Sequence, residues 1–215
     1  MPATIITIAQ RKGGAGKTTL AAHLALAWAA RWRVAVVDID PQGSLAAWFN
    51  LRRERLGGDA AIEVAAITGW RVAAEVERQA RGNDIVLIDS APHAETEARI
   101  AVRAASLVLV PVQPSPVDVW ATLPTLDIAR QERVPVLLVL NRVPARACLT
   151  GAMRAKLASY DVGLAMSAIG NRIALAAAFA EGWGIGESDR GSPAALEIEA
   201  LAAELLDLLP KAQAA

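Results

Sequence analysis

The chain has 215 residues, 22 basic and 22 acidic side chains, and a hydrophobic share of 54%. That length suits one domain with a full core, the hydrophobic share is carried largely by alanine with no apolar run long enough to span a membrane, and the balanced charge gives no general reason to expect nucleic acid. A single cysteine, Cys148, excludes an internal disulfide framework and cannot hold a cluster or a zinc ion alone, so it reads as a small buried apolar residue.

Thr4-Ile5-Ile6-Thr7-Ile8 is an apolar, β-branched run that predicts a strand. It starts so close to the N-terminus that no signal peptide fits before it, and the expectation is a cytoplasmic protein. Gln10-Arg11-Lys12-Gly13-Gly14-Ala15-Gly16-Lys17-Thr18-Thr19 follows, and then an alanine- and leucine-rich helical segment from Leu20 to Ala30. Strand, glycine loop and helix in that order make a phosphate-binding P-loop. The form G-x-x-x-x-G-K-S/T needs a glycine where Arg11 stands, so this loop is a variant, K-G-G-x-G-K-T-T. Its glycines let backbone N–H groups turn toward phosphate oxygens, the helix that opens at Thr18 and Thr19 presents its positive dipole end, and Lys17 adds a full charge. The Thr18 hydroxyl suits a magnesium ion. Lys12, before the turn, is better placed to reach toward a second subunit than to serve its own chain's phosphates.

The first helix closes at Trp32-Arg33, and Val34-Ala35-Val36-Val37 reads as a buried parallel strand that delivers Asp38-Ile39-Asp40-Pro41-Gln42-Gly43-Ser44 to its C-terminal end. Ligands of open parallel sheets bind at strand C-termini, so both carboxylates belong beside the P-loop. Ser44 to Leu56 predicts an amphipathic helix with Trp48, Phe49, Arg52, Arg53 and Arg55; a short strand around Ile62 to Ile67, a helix from Trp70 to Ala80 and a turn at Gly82-Asn83-Asp84 follow. Ile85-Val86-Leu87-Ile88-Asp89 places an aspartate at the end of an apolar strand, a Walker B element whose carboxylate would hold magnesium opposite Thr18. His93, just downstream, reads as a loop histidine.

Leu107 to Val112 predicts another buried strand, entering a proline-bounded loop, and Asp118-Val119-Trp120 opens a helix that Pro124 kinks or delays. Val134 to Leu140 predicts a strand ending at Asn141-Arg142. The asparagine amide offers a donor and an acceptor together, which suits the adenine edge. Ala145 to Tyr160 reads as a helix, Val162 to Ala168 as the last strand, and Ser192-Pro193 as the start of a final helix running to Leu209. Between Asn141 and Ala180, Arg142, Arg146, Arg154, Lys156 and Arg172 face a single acid, Asp161. The final helix is acidic, with Glu197, Glu199, Glu204 and Asp207, which disfavours docking on an anionic membrane.

On these residues the chain resembles the ParA/MinD family of ATPases, from Ile5 to about Leu209. The loop is similar to that family's deviant Walker A motif, in which the first lysine crosses an ATP-sandwich dimer to the partner's nucleotide, and Lys12 stands at that position. Asp38 to Ser44 resembles its switch I block, which implies that Asp40 positions or activates the attacking water and that Asp38 supports magnesium. Asp89-Ser90-Ala91-Pro92 departs from the family's D-T/S-P-P at Ala91. The resemblance puts Asp118 near the dimer face and Asn141 on the adenine edge. It also likens Ile169 to Gly182 to a stretch whose arginine contacts non-specific DNA, which makes Arg172 the leading DNA contact, with Arg146, Arg154, Lys156 and Arg190 as further candidates, each also readable as a solvated surface charge.

Six strands of the parallel kind alternate with helices, which gives an α/β fold, a doubly wound, mostly parallel sheet flanked by helices; the resemblance implies a single domain over 1–215 and no N-terminal helix-turn-helix. It implies a weak, partner-stimulated ATP hydrolase that uses ATP and Mg2+, forms an ATP-dependent homodimer, binds non-specific double-stranded DNA on the nucleoid and works with a ParB-like adaptor. Too few cysteines argue against a nitrogenase-type iron protein, the lack of internal duplication against an arsenite-pump ATPase, and the lack of a glutaminase half against an amide ligase. Partition of plasmid or chromosomal DNA is the leading expectation. The alternative is a positioning ATPase for a protein cargo, a chemoreceptor cluster or carboxysome-like microcompartment, and a metabolic P-loop ligase comes third.

Overall fold

The computed structural model describes residues 3–58, 60–92, 95–145 and 149–208. Seven strands are present, β1 (Thr4–Ile8), β2 (Val34–Asp38), β3 (Glu63–Ala66), β4 (Ile85–Asp89), β5 (Leu107–Val112), β6 (Val136–Val143) and β7 (Gly163–Gly170). They form one sheet in the order β3-β2-β4-β1-β5-β6-β7, and every pairing is parallel. The expectation of six parallel strands is one short: the short strand expected around Ile62 to Ile67 forms as β3 and is itself parallel, at the edge beside β2.

The helices are α1 (Lys17–Ala29), α2 (Ser44–Arg55), α3 (Val72–Gly82), α4 (Glu95–Ala104), α5 (Pro116–Trp120), α6 (Leu123–Glu132), α7 (Leu149–Ala158), α8 (Ile173–Ala180), α9 (Ile185–Ser188) and α10 (Pro193–Leu208). Alternation along the strands assigns them to faces. Leu107 and Leu109 of β5 join Leu24, Trp48, Leu175, Ile185 and Leu201, so α1, α2 and α8 to α10 cover one side. Val108 and Val110 join Val102, Val119, Leu126 and Leu157, so α4 to α7 cover the other, with α3 beside them through Val72 and Val76. Because both faces are covered, the central strands β4 and β5 are buried at every residue and read as unbroken apolar runs. From β1 the chain winds to one edge through β2 and β3 and to the other through β5, β6 and β7, which leaves the ligand crevice at the C-terminal end of β1.

Several boundaries differ from the sequence-based expectation for identifiable reasons. β6 starts after Pro135, which has no N–H to give the ladder, and continues past Asn141 to Val143 through a bulge at Arg142, whose φ is +53°. The helix expected after Asp118 is two, α5 and α6, with Pro124 delaying the second. A 3₁₀ turn over Gly69–Arg71 precedes α3. Arg146, His93, Cys148 and Leu209 lie outside the described residues. Arg52 of α2 is fully buried: its guanidinium makes two hydrogen bonds of 2.8 Å to Glu187 and donates to the carbonyls of Ala60 and Gly182. Trp48 stacks on Phe179 at 5.5 Å. The aromatic and arginine content of α2 thus fastens it inward to the α8–α9 segment. Among the described residues, no helix is long and apolar enough to cross a membrane.

Candidate active site

The P-loop leaves β1 at the centre of the sheet and turns into α1 through Gly16, which caps the helix at φ +87°. A Cβ there would fall 2.5 Å from the Asn141 amide nitrogen on a conformation L side chains avoid, so both space and backbone demand glycine. Lys17 follows, nearly buried; burial lowers its pKa, and the carboxylates of Asp89 and Asp40 oppose that shift.

Three aspartates arrive from β4 and β2, whose paired register sets Asp38 against Asp89. Asp89 is fully buried, and neither of its carboxylate oxygens has a hydrogen-bond partner among the described residues. Burial pushes its pKa up to about 7; the Thr18 hydroxyl stands close enough to favour the charged form without the geometry of a full hydrogen bond, and Asp38 and Asp40 add like charge. A buried carboxylate with two orphaned oxygens beside a threonine hydroxyl fits a hard divalent cation whose remaining ligands are water and phosphate oxygens. The residues therefore fit magnesium, with Asp89 and Thr18 as its holders. Asp38 is engaged differently. Its Oδ1 accepts from the Asp40 N–H at 3.0 Å and its Oδ2 from the Ala46 N–H at 3.1 Å, so it organises the switch turn and the start of α2. Burial raises its pKa, and those N–H groups oppose the shift. Asp40 is half-exposed at the lip, where its Oδ1 accepts from the Gln42 N–H.

The other flank of the loop is held by β5 and β6. Gln113, one residue past β5, donates its side-chain amide to the Gly14 carbonyl at 3.0 Å. Asn141, buried in β6, donates to the Ala15 carbonyl at 2.7 Å and accepts from the Arg142 N–H at 3.0 Å. The residue expected to read adenine thus grips the loop's backbone. Lys12 Nζ lies 2.6 Å from the buried carboxylate of Asp118 on α5, so the lysine expected to reach outward is folded onto its own chain, and Asp118 is an interior anchor. Sequence reading gave Gln113 no role, although a polar side chain just past a buried strand, at the crevice edge, is a usable signal. It also overlooked His23 of α1, buried between the Leu175 carbonyl and the Ile185 N–H.

A cavity of about 210 Å³ opens beside Gly16 and Thr19, lined further by Asn141, Arg142 and Arg172. Its position next to the P-loop suits the base and ribose of a nucleotide. Arg172 is paired with Glu197 at 2.6 Å at this cavity. The remaining basic candidates are scattered. Arg154 donates to the Ala165 carbonyl and Lys156 lies over the Tyr160 ring, both on α7, whereas Arg172 and exposed Arg190 flank α8 and α9 on the opposite face of the sheet. Among the described residues the structure gathers the nucleotide candidates at one crevice and leaves the DNA candidates apart.

The family model of the CobQ/CobB/MinD/ParA nucleotide binding domain matches residues 6–207. The chain is 28% identical to the maintenance of carboxysome distribution protein A of Halothiobacillus neapolitanus, over 94% of this chain and 95% of that protein. It is 36% identical to the chromosome-partitioning ATPase Soj of Thermus thermophilus, over 50% of this chain and 54% of Soj. Among solved structures, a Cyanothece McdA–ATP complex superposes with a TM-score of 0.79 at 16% identity, covering 94% of this chain and 96% of that one. The Pyrococcus furiosus cell division ATPase MinD superposes at 0.78 and 21%, covering 95% and 99%. These two structures share the parallel-sheet fold described above.

Proposed function

Since the chain belongs to the CobQ/CobB/MinD/ParA family and is a P-loop ATP hydrolase, we propose that it is a positioning ATPase that distributes a protein cargo, a microcompartment of the carboxysome type, over the nucleoid. The observation that carries this reading is the end-to-end likeness to a carboxysome distribution protein, 94% of this chain against 95% of that one. Partition of plasmid or chromosomal DNA is the second reading, favoured by the likeness to Soj over half of this chain.

In the proposed cycle two copies close on ATP. The P-loop amides and Lys17 bind the phosphates, and Asp40 at the lip orients water for in-line attack on the γ-phosphorus. Lys17, and Lys12 from the second copy, offset charge developing on the transferred group. Asp89 and Thr18 would hold magnesium, with Asp38 supporting through the turn, and the ion would supply positive charge against the phosphates. Basic residues too sparse to hold DNA in one copy are doubled in the dimer, and phosphate-backbone affinity rises steeply with the number of contacts. Hydrolysis stimulated by a ParB-like adaptor on the cargo would then release the dimer.

The test uses the Asp40→Ala protein and an arbitrary DNA duplex, with ATP and with ADP, at two salt concentrations. Binding that requires ATP and weakens with salt supports the nucleoid-tracking reading, and no binding in either nucleotide overturns it. Deleting the gene in its own host separates the cargoes: clustered microcompartments favour positioning, and unstable plasmid or chromosome inheritance favours partition.

A further inference from the structure

The contact between Lys12 and Asp118 has features that a surface ion pair lacks. The lysine amine lies 2.6 Å from Oδ2 of a carboxylate that is almost wholly buried, while the lysine side chain itself is 35% exposed. The Ser115 hydroxyl hydrogen-bonds the same Oδ2 and also accepts from the Asp118 N–H at 3.2 Å, which fixes the carboxylate at the start of α5. Oδ1 is buried with no partner among the described residues. Asp118 is thus an under-satisfied interior anion whose one cation among the described residues is Lys12, and withdrawing that cation leaves a buried charge unpaired. Lys12 is the side chain that, under the dimer reading above, has to leave its own subunit and meet a phosphate on the other.

We propose that Asp118 is the positioning residue for Lys12: it holds the lysine retracted on its own subunit until the triphosphate of a second copy competes for it, and so sets the protein concentration at which ATP-dependent pairing occurs. The inference rests on the dimer reading. It gives the sandwich a threshold, because each copy must surrender a charge-assisted hydrogen bond before its lysine can cross.

Two readouts test it in the Asp40→Ala background. The first is acylation of Lys12 in nucleotide-free protein by an amine-reactive ester, mapped by mass spectrometry with Lys156 as the internal reference. An amine held 2.6 Å from a buried carboxylate by a charge-assisted hydrogen bond is less free to approach the ester than one in solvent. The second is the midpoint of ATP-dependent dimerisation, measured by analytical ultracentrifugation. Asp118→Asn should speed Lys12 acylation and lower the dimerisation midpoint about a hundredfold, about tenfold for the one charge-assisted hydrogen bond that each of the two copies no longer surrenders. Asp118→Glu, which keeps a carboxylate on α5, should move both back toward the parent, which a merely structural loss would not do. Unchanged acylation, or faster acylation with an unchanged or higher midpoint, overturns the proposal. A parent that stays monomeric with ATP while Asp118 is intact overturns the dimer reading itself, and is told apart on that ground.

Discussion

On the β4 and β2 side of the P-loop the strand ends carry carboxylates; on the β5 and β6 side the structure supplies amides and one anchoring aspartate. The first flank is electrostatically unfinished, with both Asp89 oxygens unpartnered and Lys17 desolvated between Asp89 and Asp40. The second is occupied by contacts to the loop itself, Gln113 to Gly14, Asn141 to Ala15 and Asp118 to Lys12. Native interiors rarely leave a buried carboxylate with both oxygens unpaired, so the Asp89 side is where magnesium and the phosphates belong, and the other side, Asp118 Oδ1 apart, keeps the loop in shape to receive them. One loop is thus supplied with chemistry from one direction and with rigidity from the other.

The largest effect expected comes from breaking the chemical flank. Asp40→Ala should slow ATP hydrolysis by about a hundredfold or more, the range of a lost water-orienting base, while ATP binding stays close to the parent. Phosphate release and equilibrium nucleotide binding measured together check this. Hydrolysis at the parental rate would remove Asp40 from its role, and loss of binding alongside hydrolysis would mean that its contact with the Gln42 N–H holds the turn.

Next in size is an effect from behind both flanks. His23 on α1 accepts the Ile185 N–H at Nδ1, so its proton sits on Nε2 and faces the Leu175 carbonyl. Burial drives its pKa down to about 4, against 6.5 for the free side chain. The unfolded chain therefore takes up this proton first as pH falls, and the folded chain does so only near pH 4, where a proton on Nδ1 would oppose the Ile185 N–H. Stability from this residue is intact above pH 6.5 and is lost toward pH 4, by about 2 kcal/mol at pH 5. Asp89, pushed up to about 7, works in the opposite sense over the same window, so the fall is read as a difference: on going from pH 7.5 to pH 5 in urea unfolding, the parent should lose about 2 kcal/mol relative to His23→Gln.

The chemical flank was far more legible in the sequence than the gripping one. Asp38, Asp40, Asp89 and Lys17 each stand at a fixed offset from a buried apolar run, and a parallel sheet brings the ends of such runs to one edge, so spacing alone assembles them. The grip depends on distant pairings. Asn141 meets Ala15 across 126 positions and Lys12 meets Asp118 across 106, and local pattern says nothing about such partners. An isolated reading of Lys12 therefore sends it outward, and one of Asn141 sends it to the adenine. Arg52 shows the same limit: as a letter in an amphipathic helix it is a surface charge, and only the return of Glu187 from the far end of the chain explains its burial.

The smaller effects test the gripping flank and decide what Asn141 does. Asn141→Ala leaves the Ala15 carbonyl without its donor inside the protein, a loss of about 1–2 kcal/mol that should weaken triphosphate binding about tenfold. If the side chain works by holding the loop, ATP and GTP should lose affinity by the same factor, because the loop touches only phosphates. If it reads adenine, the loss should fall on ATP alone and the preference between the two nucleotides should collapse. Gln113→Ala supplies the control. Its contact to Gly14 is more exposed, so water can replace it, and the expected loss is under about 1 kcal/mol, shared equally by ATP and GTP. Titration of both variants with both nucleotides sharpens the comparison. Parallel losses in both make the β5 and β6 flank a brace for the loop, and a selective loss in Asn141→Ala alone makes part of that flank a reader of the base.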